Sequence, residues 1–175
     1  MYQGTRVRLR PLERKHLSSC VEWLNDPEVT EHLSFSEPMS MEGEQRWYED
    51  LLRDKSTKVY AIETLQGEHI GNLGLHEIDL HSRKTEFGIF IGKKDLWGKG
   101  YGTEAVSLAL KLAFKGLNLN KVYLRVFTGN KRAQKCYEKA GFKKEGVLRQ
   151  DMFKNGKYLD SVVYSILAEE YFQKG

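Results

Sequence analysis

The sequence predicts a mixed α/β (α+β) chain built around a mostly antiparallel sheet. Several short segments alternate apolar and polar side chains, as half-buried strands do. Between them, apolar residues recur every three or four positions, as in amphipathic helices. The dipeptide Asn155-Gly156 between two strand-like segments is the strongest hairpin signal in the chain. Helices interleaved with hairpin-linked strands are typical of this fold class.

The N-terminal third is predicted to form one strand and two helices. Residues 5–12 alternate apolar and basic side chains, which predicts a strand. Residues 13–24 and 40–54 carry apolar side chains at helical spacing, and Ser40 is the expected N-cap of the second helix. The buried stripe of that helix is expected to consist of Trp47, Leu51 and Leu52.

The middle third is predicted to form three strands. Residues 58–64 and 69–77 flank Gln66-Gly67-Glu68, so a hairpin is the simplest connection between them. Residues 85–91 form the third strand, and Gly88 inside it indicates a bulge or a close backbone approach.

The last third begins with a glycine-rich segment. The predicted elements after it are a helix at 103–115, a strand at 121–127, a helix at 130–139 and two strands around Asn155-Gly156. No internal repeat, low-complexity tract or linker interrupts the 175 residues. We therefore expect a single domain spanning residues 1–175.

Composition places the chain among globular proteins. Hydrophobic residues make up 40% and charged residues 30%, which excludes disordered, collagen-like and coiled-coil classes. No apolar run is long enough for a membrane span and the N-terminus does not resemble a signal peptide, so we expect a cytoplasmic protein with no membrane partner. Cys20 and Cys136 lie far apart and are expected to be reduced thiols.

The net charge of +4 is unevenly distributed. Residues 13–54 hold 11 acidic and 4 basic side chains, a net charge of −7, which leaves +11 for the rest of the chain. This division is compatible with two partners of opposite charge, and equally with a solvated surface.

The segment Trp97-Gly98-Lys99-Gly100-Tyr101-Gly102 lies between a predicted strand and a predicted helix. Bare backbone N–H groups before a helix N-terminus favour binding of an anion such as phosphate. Spacing excludes two familiar loops. Lys99 is followed by Gly100 rather than Ser or Thr, which excludes a P-loop, and Thr103 stands where a dinucleotide fingerprint needs glycine.

Two sequence blocks resemble the GNAT superfamily of acetyl-CoA-dependent acetyltransferases. The family's loop begins with Gln or Arg where this chain has Trp97, and the W-G-K-G-Y form is similar to the Rim-type branch. That branch contains ribosomal-protein N-terminal acetyltransferases and spermidine acetyltransferases. The second block, N-x-x-A-x-x-x-Y-x-x-x-G-F, falls on Asn130, Ala133, Tyr137, Gly141 and Phe142.

The resemblance implies a GNAT fold, with a mostly antiparallel seven-stranded sheet, about four helices and central strands that splay apart. It also implies direct transfer of acetyl from acetyl-CoA to an amine. Glu86 is the expected base and Tyr137 the expected acid that protonates the thiolate. A backbone N–H freed by a bulge at residues 88–91 is expected to stabilise the oxyanion.

The resemblance also implies a set of acetyl-CoA-binding residues, some of which act through their backbone. They are Ile89, Phe90, Ile91, Trp97, Gly98, Lys99, Gly100, Tyr101, Gly102, Thr103, Asn130, Lys131 and Ala133. Basic side chains on the helix at 130–139 are either an anchor for the phosphates or a solvated helix face.

The acceptor stays open between a protein N-terminal α-amine and a small cationic amine, with a polyamine such as spermidine or spermine as the alternative. The acidic residues Glu28, Glu31, Glu37, Glu42 and Glu44 are expected to line its site. A non-catalytic module that senses coenzyme A or binds RNA is the hypothesis of another class. We expect no metal and no DNA partner, a covalent role of Cys136 is disfavoured, and a homodimer remains open.

Overall fold

One open sheet of eight strands organises the part of the chain that the computed structural model describes, residues 2–173. The strands are β1 (Tyr2–Gln3), β2 (Val7–Pro11), β3 (Lys58–Thr64), β4 (His69–Asp79), β5 (Lys84–Ile91), β6 (Lys121–Phe127), β7 (Lys143–Lys154) and β8 (Lys157–Leu167). Their order is β1-β2-β3-β4-β5-β6-β8-β7, and every pair is antiparallel except β5 with β6.

Six α-helices accompany these strands within residues 2–173. They are α1 (Leu17–Leu24), α2 (Pro27–Thr30), α3 (Met41–Arg53), α4 (Tyr101–Lys111), α5 (Lys131–Ala140) and α6 (Ala168–Gln173). Short 3₁₀ turns lie at Arg14–His16 and Lys94–Leu96, and a π-helical turn at Leu112–Gly116 extends α4. The mixed, mostly antiparallel fold class is as predicted.

The strand and helix counts differ from the expected seven and four. The extra strand, β1, has two residues, which is too short to show an alternating pattern. The extra helices α2 and α6 have four and six residues, less than two full turns of apolar spacing. The expected domain limits 1–175 include Met1 and residues 174–175, which lie outside the described residues.

The apolar stripe of α3 agrees with the prediction at Leu51, which packs against a buried cluster, but not at the other two positions. Ser40 caps the helix as expected, since its hydroxyl accepts from the Gly43 amide at 3.0 Å. Trp47 and Leu52, however, are 39% and 62% exposed. The buried face instead carries Tyr48, whose hydroxyl donates to the Leu12 carbonyl at 3.3 Å.

Helices cover both faces of the sheet, so the molecule has two layers, one on each side of the sheet. The larger core packs α4 and α5 against one face, around residues such as Phe87 and Val106. A smaller core packs α1 and α3 against the other face, around Leu17 and Ala61. Between these layers, the central strands β5 and β6 are open to solvent where they diverge.

Candidate active site

The central feature is a cleft where β5 and β6 separate. The two parallel strands pair only from Lys84 to Glu86 of β5, opposite Lys121 to Tyr123 of β6. Beyond that point β5 continues to Ile91 with β4 alone as its partner. The resulting cleft has a volume of about 1000 Å³ and crosses the sheet from one layer to the other.

Backbone groups of β5 face this cleft without a bulge at Gly88. Gly88 pairs with Gly74 in regular register, contrary to the expected bulge, because divergence from β6 already leaves that edge of β5 free. Gly92 donates to Ile70 of β4 at 2.9 Å, and backbone direction alternates along a strand. Ile89 and Ile91 therefore direct their backbone groups into the cleft. Phe90, expected to do the same, directs its backbone towards β4.

The glycine loop adopts the conformation that an anion site requires. Gly98 and Gly100 have φ angles of +72° and +88°, a left-handed backbone that favours glycine. Gly100 then caps α4 without a side-chain hydrogen bond. Within residues 2–173, the N–H groups of the first helical residues, Tyr101, Gly102 and Thr103, have no acceptor, so they remain available to an anionic ligand.

Trp97 fixes this loop instead of contacting a phosphate directly. Its indole Nε1 donates to the Ile91 carbonyl at 2.7 Å, which ties the loop to the end of β5. The Arg132 guanidinium lies 4.6 Å from the centre of the Trp97 ring. The tryptophan thus occupies the polar position of the family loop and holds a cation from α5 beside it.

The N-terminus of α5 forms the adjoining wall. Asn130 caps the helix through Oδ1, which accepts from the Ala133 amide at 3.2 Å, so that amide is not free for a ligand. Lys131 is exposed at the rim of the cleft. All the predicted acetyl-CoA-binding residues line the cleft except Lys99, whose exposed side chain lies outside it.

Tyr137 lies at the bottom of the cleft with 8% of its surface exposed. Its ring packs edge-on against Phe87 and Phe142, with centroid separations of 6.4 and 5.7 Å. Burial raises the pKa of Tyr137 well above its ordinary value. No residue in the described range 2–173 forms a hydrogen bond with its hydroxyl, which therefore stays protonated and free to donate at neutral pH.

Glu86 lines the opposite layer of the cleft, where both its oxygens bind Arg125. The Arg125 Nε donates to Oε1 at 2.8 Å and a terminal nitrogen donates to Oε2 at 3.3 Å. Asp151 of β7 lies 3.9 Å from the same guanidinium. Glu86 raises the pKa of Arg125 through its hydrogen bond and charge. The expected base is thus held in a two-point ion pair.

Acidic residues line the acceptor layer, but fewer than expected. Glu28 and Glu31 line the cleft, and Lys94 pairs with Glu28 at 3.1 Å. Glu44 instead lies on the buried face of α3, where it is 3% exposed and burial raises its pKa. Glu37 and Glu42 are exposed outside the cleft.

Sequence reasoning missed several polar residues that line the cleft, among them His76, Arg125 and Asp151. His76 is the cross-strand partner of Glu86, so alternation along β4 and β5 could have placed both on one face. Asp151 belongs to the last hairpin, and no local pattern relates it to Glu86. Among residues 2–173, no three His, Cys, Asp or Glu side chains converge as a metal-binding group.

The cleft defines a class of protein with two substrates, one anionic and held by backbone donors, the other cationic and facing carboxylates. A GNAT acetyltransferase domain model matches residues 6–143. The chain therefore belongs to the GNAT acetyltransferase family and is an N-acetyltransferase, which confirms the family, fold and enzyme class predicted from the sequence.

Comparison with known proteins identifies close similarities. The chain is 36% identical over 166 residues to spermidine N(1)-acetyltransferase of Escherichia coli K12, covering 94% of this chain and 88% of that enzyme. It is 34% identical over 127 residues to a putative ribosomal N-acetyltransferase of Bacillus subtilis, covering 73% and 66%. The crystal structure of Vibrio cholerae spermidine N-acetyltransferase with CoA and spermine matches with a TM-score of 0.91 and 32% identity, covering 97% and 99%.

None of the helices within residues 2–173 is long and apolar enough to cross a membrane. Cys20 and Cys136 are both free thiols, as expected.

Proposed function

We propose that this chain transfers the acetyl group of acetyl-CoA to a primary amine of a polyamine such as spermidine or spermine. The observation that carries this proposal is the opposite chemistry of the two layers of one cleft. Free N–H groups at the start of α4 lie on one side, and the carboxylates Glu28, Glu31, Glu86 and Asp151 lie on the other. Spermidine acetyltransferases are among the relatives that match nearly the whole chain.

On the cofactor side, the N–H groups of Tyr101, Gly102 and Thr103 would bind the pyrophosphate, with Arg132 and Lys131 adding positive charge. The backbone of Ile89 would pair with the pantetheine arm as an added strand does. Its N–H would also donate to the thioester oxygen as negative charge develops there. The Tyr137 hydroxyl would donate to the departing thiolate.

On the acceptor side, the amine must lose a proton before it attacks. An alkylamine with a pKa of about 10 is about 0.1% neutral at pH 7, which corresponds to about 4 kcal/mol. Glu86 would hold the ammonium group next to the thioester, since Glu86 and Asp151 together outweigh the single positive charge of Arg125 between them. Asp151 and Glu31 would bind further nitrogens of an extended polyamine.

A protein N-terminal α-amine is the second candidate acceptor, favoured by the similarity to the putative ribosomal N-acetyltransferase. We also propose that residues 1–175 act as one domain in the cytoplasm. These two statements rest on sequence length and composition.

Thiol release from acetyl-CoA measured with a panel of amines tests the proposal. We expect kcat/KM to fall in the order spermine or spermidine, then a diamine, then a peptide with a free N-terminus. A higher kcat/KM for the peptide would contradict the polyamine proposal and support the second candidate. Acetyl-CoA binding by calorimetry without thiol release from any amine would instead support a coenzyme A-sensing module.

A further inference from the structure

His76 occupies a position in the acceptor layer that none of the predicted roles explains. It lies on β4 directly opposite Glu86 of β5 and lines the cleft. Its ring rests on Gly74, where an added Cβ would lie 2.2 Å from Nε2. Gly88, the cross-strand partner of Gly74, is also close, since a Cβ there would lie 3.8 Å from Nε2. The paired glycines thus leave space for an imidazole at the centre of the sheet.

The backbone next to His76 is irregular in a way that aims its side chain. The β4–β5 register shifts between His76 and Asp79, and Glu77 has a φ of +49°, which is uncommon for a non-glycine residue. A bulge of this kind reorients the side chain beside it and is frequent next to active sites. The irregularity expected at Gly88 is therefore present on the neighbouring strand, adjacent to His76.

The imidazole is available as a base. Within residues 2–173 neither ring nitrogen has a hydrogen-bond partner, and neither is fully shielded from solvent. Burial lowers the pKa of His76, while the charges of Glu86, Glu77 and Asp54 act to raise it. The net direction is downward, so the ring is neutral at pH 7.

Glu86 is less suited to accept a proton. Both its oxygens already accept hydrogen bonds from Arg125, which approaches Asp151 as well. Protonation of Glu86 would weaken this two-point ion pair in a partly buried place. His76 has no such bond to lose.

We propose that His76 is the general base that takes the proton from the acceptor ammonium group. This inference rests on the proposed acetyltransferase function and names the group that activates its amine. The ammonium N–H bond breaks and its proton binds the imidazole. The freed amine lone pair then forms the C–N bond to the acetyl carbon.

The remaining steps conserve protons and electrons. The C–S bond breaks with its electron pair on sulfur, and the thiolate accepts a proton from Tyr137. Tyr137 recovers a proton from the nitrogen of the new amide, and His76 releases the first proton to solvent. Glu86 acts as a positioning residue, because its charge attracts the ammonium and stabilises the imidazolium across the strand pair.

The pH dependence of kcat/KM for His76→Gln tests this role. In the wild type we expect log kcat/KM to fall on the acid side as the imidazole becomes protonated, at a pH below the usual histidine range. In His76→Gln we expect that bend to disappear and kcat/KM at pH 7 to fall about 100-fold, with the KM for acetyl-CoA unchanged. His81→Gln, in the exposed β4–β5 turn, is the matched control and should keep the wild-type profile.

If His76 had only a structural role, the loss of activity in His76→Gln would not depend on the pKa of the amine. The deficit of His76→Gln should shrink for amines of low pKa, because these are largely neutral at the assay pH. Gly74→Ala provides a second variant that keeps the imidazole but displaces it, and kcat should fall there too. Unchanged kcat in both variants would overturn the proposal, as would loss of the acid bend in Glu86→Gln but not in His76→Gln. If the wild type released no thiol with any amine, the proposed function itself would fail.

Discussion

At the scale of single residues, burial determines the chemistry of Tyr137. Desolvation raises the pKa of its hydroxyl, so the group stays protonated at the pH where the enzyme works. An ordinary thiol has a pKa of about 8.5, so full proton transfer from this phenol to a thiolate is uphill. Tyr137 therefore first stabilises the developing charge on sulfur by a hydrogen bond, and proton transfer becomes favourable only because the phenolate recovers a proton from the acidic nitrogen of the new amide.

Replacing Tyr137 by Phe tests this contribution. The phenyl ring keeps its contacts with Phe87 and Phe142, so folding and acetyl-CoA binding should be retained. We expect kcat to fall about 100-fold while the KM for acetyl-CoA changes little. Tyr158→Phe, at a tyrosine that is 64% exposed, should leave both constants unchanged. A wild-type kcat in Tyr137→Phe would show that another group protonates the thiolate.

At the scale of elements, single strands and loops could be predicted from the sequence better than contacts between residues on distant strands. The strands at 58–64 and 121–127 were predicted to the residue, because each is a short run rich in apolar residues that follows polar residues, although burial largely alternates only along the second. The glycine loop was recognisable because its left-handed backbone demands glycine, whereas Asn130 was predicted as an acetyl-CoA-binding residue and its capping role was not foreseen. The Arg125–Glu86 pair was not predictable, because nothing local relates β6 to β5. The inner face of α3 was mistaken because tertiary packing selected Tyr48 over Trp47.

The contact between the glycine loop and α5 leads to a prediction about Arg132. Because its guanidinium is held over Trp97 at the mouth of the cleft, it should contribute to binding of the phosphates. Arg132→Gln should raise the KM for acetyl-CoA about tenfold, equivalent to about 1.4 kcal/mol, without changing the KM for the amine. Lys135→Gln, exposed on the same helix outside the cleft, is the control. Equal effects of the two variants would indicate only a diffuse charge effect.

Lys154, on the β7–β8 hairpin, holds the segment of residues 31–40 between α2 and α3, which we call the acceptor loop. This buried ammonium donates to the carbonyls of Thr30, at the end of α2, and of Leu33 and Phe35, in the segment between α2 and α3. Burial lowers the pKa of Lys154. The same segment contributes Glu31 to the cleft, so a side chain more than 110 positions away fixes the wall of the acceptor site.

Lys154→Met should therefore release the acceptor loop. We expect the KM for the polyamine to rise about tenfold, while the KM for acetyl-CoA stays near the wild-type value. Lys157→Met, exposed at the start of the next strand, is the matched control. Steady-state kinetics with each substrate varied in turn would measure both constants. A rise in the KM for acetyl-CoA instead would contradict this prediction, because it would show that Lys154 supports the acetyl-CoA side of the cleft.

At the scale of the whole molecule, the sheet separates two electrostatic environments. The net charge of +4 conceals a segment of −7 that contributes Glu28 and Glu31 to one layer, while Lys131 and Arg132 lie on the other. Because the strands diverge only at β5 and β6, both environments meet at one opening. The helix α4, which begins at the glycine loop, is joined to the first strands of the sheet by side-chain contacts.

Glu104 makes the most concentrated of these contacts. Its carboxylate, in the first turn of α4, accepts from the Thr5 hydroxyl and from the backbone N–H groups of Thr5, Arg6 and Val7, at 2.7 to 2.9 Å. Burial acts to raise the pKa of Glu104, but these hydrogen bonds outweigh it and hold the pKa below its ordinary value. A carboxyl group of this kind stabilises the fold above its ordinary pKa, and the stabilisation is lost as pH falls through the folded-state value.

Glu104→Gln should accordingly lower the free energy of unfolding by about 2 kcal/mol at pH 7, because a neutral amide accepts these hydrogen bonds less strongly. The difference from the wild type should narrow as pH falls from 4.5, the ordinary pKa of the group, through the lower folded-state pKa, because the unfolded carboxyl is protonated first and the folded carboxyl last. Urea unfolding at pH 7 and at a pH below 4.5 measures the difference in unfolding free energy between Glu104→Gln and the wild type under each condition. Glu37→Gln, at an exposed glutamate with no hydrogen bond within residues 2–173, should match the wild type throughout. A difference that is independent of pH would show that the shape of Glu104 matters, rather than its charge.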